Sequence, residues 1–86
     1  MNKLIEKLKE LLQAYAQEQN AAWRLEHNED MGTLTAELSG WKQNGDEKVA
    51  IVHSSVFYGP EDFEQDDPTA ADIFEHLKKT WEDADK

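Results

Sequence analysis

Eighty-six residues without a cysteine, carrying nineteen Asp and Glu against nine Lys and Arg, give a formal net charge of −10. A chain of this length supports one hydrophobic core, so residues 1–86 are expected to form a single domain. The charge argues against nucleic acid and anionic membrane as direct partners, and the missing thiols remove disulfides, a thiol nucleophile and Cys-based metal sites.

The N-terminal stretch MNKLIEKLKELL alternates charge with leucine and offers no uncharged signal-peptide core. No apolar run approaches the ~20 residues that span a bilayer, so a cytoplasmic protein is expected. After Asn2 as N-cap, Leu4, Ile5, Leu8, Leu11, Leu12 and Tyr15 recur at helical spacing and predict an amphipathic helix over 3–19. Lys3, Glu6, Lys7, Lys9 and Glu10 form its solvated side.

From Trp23 the period becomes two. Trp23, Leu25 and His27 alternate with Arg24 and Glu26, and Leu34, Ala36, Leu38 and Gly40 alternate with Thr35, Glu37 and Ser39. A four-residue loop over 29–32, with Gly32 at the position needing positive φ, pairs Asn28 with Thr33 and sets Leu25 opposite Ala36. Asn44-Gly45 signals a two-residue hairpin into a third strand over 48–56. Counting out from Gln43 opposite Asp46 places Gly40 opposite Val49, Leu38 opposite Ile51 and Ala36 opposite His53.

Gly59-Pro60 ends that strand, and five acids then fall among the seven residues 61–67. Asp67 with Pro68 reads as the N-cap of a second helix, whose stripe is Ala70, Ile73, Phe74, Leu77 and Trp81 and whose end lies near Asp83. Two helices with one apolar stripe each, and a sheet with one apolar face, predict a two-layer α+β fold: helix, three-stranded antiparallel meander, helix (αβββα), both helices on one face.

Charge is uneven along the chain: residues 1–22 are neutral, 23–58 carry −3 and 59–86 carry −7. If 61–67 is extended it spans roughly 23 Å, one carboxylate per 4 to 5 Å or so, against about 3.4 Å per phosphate along one strand of B-DNA. Glu61, Asp62, Glu64, Asp66 and Asp67, continued by Asp72 and Glu75, could then fill a groove built for phosphates, with Phe57, Tyr58 and Phe63 as anchors. A solvated acidic loop is the plainer reading of the same run. It lacks the ligand spacing of a calcium loop. His27, His53 and His76 are the candidate acid/base groups; His27 and His53 are expected on outer strands of one face, roughly 9 to 10 Å apart, and Ser54 and Ser55 point to opposite faces. No metal, cofactor or catalytic residue is assigned, and the chain is expected not to be an enzyme. Trp41, Ala50, Val52 and Val56 are expected on the sheet face turned away from the helices, a second candidate partner surface.

The element order resembles a double-stranded RNA-binding domain, but where that family places lysines at the start of its second helix this chain has Asp66, Asp67, Pro68 and Asp72, the wrong sign for RNA. In size, acidity and element order the chain also resembles small phage-encoded inhibitors, some anti-CRISPR proteins among them, and it shares the physics of acidic immunity proteins that block nucleases. That resemblance implies a non-enzymatic nucleic-acid mimic, acting in the host cytoplasm, that binds and inhibits a basic nucleic-acid-binding protein. The competing expectation is a protein-interaction or homodimerising domain that uses the uncovered sheet face around Trp41.

Overall fold

The computed structural model describes residues 2–44 and 48–84. Along them run α1 (Asn2–Gln19), β1 (Ala21–Asn28), β2 (Thr33–Asn44), β3 (Lys48–Tyr58), α2 (Pro60–Gln65) and α3 (Ala70–Asp83). The fold is α+β, with an antiparallel sheet in the order β1-β2-β3. None of the described helices is long and apolar enough to cross a membrane.

The α1 stripe seats Leu8, Leu12, Tyr15 and Ala16 in the core, and α3 adds Ala70, Ile73, Leu77 and Trp81. Leu34, Ala36 and Leu38 of β2 and Val52 and Val56 of β3 supply the sheet side. The helix ends where Asn20 turns left-handed at φ 55°, a conformation asparagine tolerates, and its N–H donates to the Gln17 carbonyl at 3.3 Å. The chain then enters β1 against Gly40, where a Cβ would lie 3.1 Å from the Ala21 Cα. Only glycine permits that approach without displacing backbone.

The first hairpin forms as the sequence predicts: Asn28 pairs with Thr33, Leu25 with Ala36 and Trp23 with Leu38. Gly32 has φ 67°, and the Met31 N–H donates to Asn28 Oδ1 at 3.2 Å. The second hairpin does not. Gly40 pairs with Val52, Leu38 with Ser54 and Ala36 with Val56, three residues from the expected register. An odd shift turns the whole strand over. Val52 and Val56, expected on the open face, are therefore buried in the core, whereas Ile51, His53 and Phe57 are exposed. Apolar residues occupy both parities of β3, so alternation could not choose its buried face. Asn44 pairs with Lys48, which leaves three residues for the turn rather than two; Gly45, and with it the predicted Asn44-Gly45 turn, lies outside the described residues. Beyond the Ala21–Gly40 pair β1 has ended, so β2 and β3 continue as a two-stranded ribbon.

Two further corrections concern the chain after β3. Residues 60–65 are helical rather than extended, and α3 is capped by Thr69, not Asp67. Asp67 sits at φ 43° and Pro68 is buried. Thr69 prevails because it closes a reciprocal pair: its Oγ1 accepts from the Asp72 N–H at 3.2 Å, and Asp72 Oδ2 accepts from the Thr69 N–H at 2.9 Å.

Turning β3 over also buries Ser54, which is 3% exposed with a hydroxyl that has no hydrogen-bond partner among the described residues. A buried unsatisfied hydroxyl carries its full desolvation cost. Ser54→Ala is expected to raise the unfolding free energy by about 1 kcal/mol, read as a higher urea midpoint at unchanged slope.

Candidate interaction site

Glu61, Asp62, Glu64, Asp66, Asp67, Asp72 and Glu75 are all exposed. The helical turn of α2 packs its residues at about 1.5 Å of rise each, so the acids form a compact cluster instead of the ~23 Å strip that matched a phosphate backbone. None of the seven forms an ion pair with a described basic residue. Two already have structural partners. Asp62 Oδ2 accepts from the Gly59 N–H at 2.8 Å and starts α2, and Asp72 starts α3. Glu75 shares its surface with His76, Lys78, Lys79 and Glu82, so it belongs to a mixed patch. Glu61, Glu64, Asp66 and Asp67 remain as the uncommitted carboxylates.

The Thr69 backbone N–H, and after it the Thr69 hydroxyl, hold the Asp72 carboxyl below its ordinary range. A depressed carboxylate stabilises the fold above its unfolded value and loses that contribution as pH falls through the folded one. Asp72→Ala is therefore expected to lower stability at neutral pH and to flatten the decline between neutral and acid pH, as measured by urea unfolding across that range.

Folding also brings in acids that the sequence does not group with this segment. A Cβ on Gly32 would lie 3.2 Å from the Pro60 Cβ, so the β1–β2 turn abuts the start of α2. Glu29 and Asp30 of that turn, both exposed, join the same end of the molecule. With Glu26, His27, Asn28, Thr33 and Thr35 they line a shallow groove. No Lys or Arg occurs in 25–41 or in 59–77, so this pole is acidic without interruption in either segment.

The three proposed aromatic anchors separate. Tyr58 faces inward, its ring 6.2 Å from Phe63 and edge-on to His76, and its hydroxyl lies 2.8 Å from His76 Nδ1. Burial first, and then the nearby Asp62 and Asp72, raise the Tyr58 phenol above its ordinary value. Tyr58 and Phe63 thus pin α2 against the core from beneath the acids. Phe57 points to the opposite face, paired across the strands with Thr35 and 64% exposed. It shares that uncovered face with Trp41 and Ile51, which are 63% and 71% exposed and directly opposite one another.

His27 and His53 lie on opposite faces of the sheet rather than on one, because the β3 register differs. His53 Nε2 is 3.8 Å from Glu37 Oε1 on the open face. Among the described residues no cluster of three or more His, Asp or Glu side chains could hold a metal ion. Comparison of the chain with protein-family models, curated proteins and solved structures finds no match.

Proposed function

We propose that this chain is a non-enzymatic binding protein that inhibits a basic, nucleic-acid-binding protein by occupying its phosphate-binding surface, in the manner of the small acidic inhibitors its sequence resembles. The observation that supports this reading is the pole itself. Glu61, Glu64, Asp66 and Asp67 are exposed, unpaired with any described basic residue, and joined by Glu29 and Asp30 through the Gly32–Pro60 contact. Such a cluster steers a cationic partner and contributes most to the association rate. It acts as a charge patch, since α2 is helical and does not reproduce the spacing of a phosphate strand.

The test is capture from the host lysate at low and high salt, with and without duplex DNA as competitor. Retention of a nucleic-acid-binding protein that both salt and DNA displace supports the proposal. Partners indifferent to both overturn it, because exposed charges are screened beyond ~8 Å at physiological ionic strength.

A second reading rests on the exposed Trp41–Ile51 pair: a protein-interaction domain that uses the open sheet face. Under it Trp41→Ala abolishes association, while neutralising the acids of 61–67 leaves it intact.

A further inference from the structure

β3 is an edge strand of eleven residues, and its far side carries no strand among the described residues. Natural edges are usually short, or carry charges, prolines or bulges that prevent pairing with another chain. Apart from Lys48 at its first position, this one carries none of those guards. Residues 49–58, VAIVHSSVFY, hold no Lys, Arg, Asp, Glu or Pro in a chain that is 33% charged. The opposite edge differs: β1 turns Arg24 and Glu26 outward, and the two form an ion pair.

We propose that two copies of this chain pair antiparallel through the free edge of β3, with the two-fold axis at Ser54, into one continuous six-stranded sheet. Self-complementarity, symmetry and charge favour a second copy in this register. First, the exposed residues of β3 are self-complementary. Ile51 and Phe57 lie on one face, six residues apart, and a two-fold at Ser54 places Ile51 of each copy directly across from Phe57 of the other. His53 then meets Ser55 of the second copy, so no like charges oppose each other at the centre.

Second, a symmetric pair uses the same patch twice, so each apolar match forms two times. Third, the charge distribution permits it despite −10 on each chain. The acidic pole follows the C-terminal end of β3, and antiparallel pairing sends the two poles outward. The two Tyr58 positions would stand about 26 Å apart, eight residues at ~3.3 Å each, or roughly three Debye lengths at physiological ionic strength. The pair would thus present acidic patches at opposite ends, leaving the acids free for a partner.

Sedimentation equilibrium and native mass spectrometry across a wide concentration range test this directly. The expected result is a concentration-dependent species at twice the 9.9 kDa of the chain. Ile51→Lys, at an exposed position that the fold does not need, should weaken dimerisation at least about tenfold by placing a guard charge on the edge. Ala22→Lys, on the same sheet face but on β1, should leave it unchanged. Since the chain has no cysteine of its own, an Ile51→Cys/Phe57→Cys double variant should crosslink to itself under mild oxidation. A monomer at every concentration overturns the proposal. So does a dimer indifferent to Ile51→Lys, a dimer lost on Ala22→Lys, or a double variant that does not crosslink. These outcomes leave the acidic pole's own binding test untouched.

Discussion

Trp81→Ala is expected to cost about 3–5 kcal/mol, the usual range for truncating a fully buried tryptophan. Trp81 has no exposed surface and is the largest fully buried side chain among the described residues. It closes the C-terminal end of α3 against α1, where its Nε1–H donates to Gln19 Oε1 at 3.2 Å. A domain of this size holds a total stability near the lower end of about 5–15 kcal/mol, so the loss would leave a large unfolded fraction. Urea unfolding followed by circular dichroism should show the midpoint collapse. Gln19→Ala separates the polar contribution from the cavity, with an expected cost of about 1 kcal/mol. A Trp81→Ala loss of less than about 1 kcal/mol would mean that α3 is not packed as described.

The second large effect concerns binding. A Glu61→Gln/Glu64→Gln/Asp66→Asn/Asp67→Asn variant removes the four uncommitted carboxylates and keeps Asp62 and Asp72 at their caps. Exposed ion pairs contribute about 0.2–1 kcal/mol each, so four together are worth about 1–4 kcal/mol at low salt. That corresponds to a several-fold to several-hundred-fold rise in Kd, most of it in the association rate. Stability should change little, because all four side chains are exposed. A Kd within twofold of the parent at low salt would remove the acidic pole from the binding surface.

The contrast between the two hairpins shows what the residue pattern can specify. In the first, from Trp23 to Gly40, the apolar strand residues fall on one parity and Gly32 sits where positive φ is required, so face and register were both legible. In β3, Ile51 and Phe57 occupy one parity, Val52, Val56 and Tyr58 the other. Both faces then satisfy alternation, and the choice falls to packing beneath α3, which no local pattern encodes. α2 is hard to read from the residue pattern for a different reason. Its start has no side-chain cap, because Gly59 stands where α3 has Thr69; the signals present are Pro60 at the first helical position and Asp62 at the third, whose carboxylate accepts from the Gly59 N–H as that of Asp72 does from Thr69.

The acids themselves were legible as exposed groups, because unpaired charge is rarely buried. That Glu29 and Asp30 join them was not legible, since it depends on a contact between residues 32 and 60. That Phe57 parts from Tyr58 and Phe63 was hidden because the third strand was expected over 48–56, whereas β3 runs on to Tyr58. Adjacent strand residues diverge to opposite faces, and only the correct register says which one goes inward.

The sheet is also uneven along its length. β1 stops opposite Gly40, while β2 runs on to Asn44 and β3 begins at Lys48. A two-stranded ribbon is only marginally stable in water, so this overhang should open locally without unfolding the body of the sheet. In the monomer, at concentrations too low for the edge of β3 to pair with a second copy, amide hydrogens of 41–44 and 48–51 are therefore expected to exchange with solvent well ahead of those at 34–40 and 52–57, in a native-state exchange experiment read residue by residue. Uniform protection along β2 would show that the overhang is held by something other than its own strand pairing. With the expected gradient, the sheet loosens first at the end away from the acids, so thermal fraying and partner binding occupy opposite ends of one molecule.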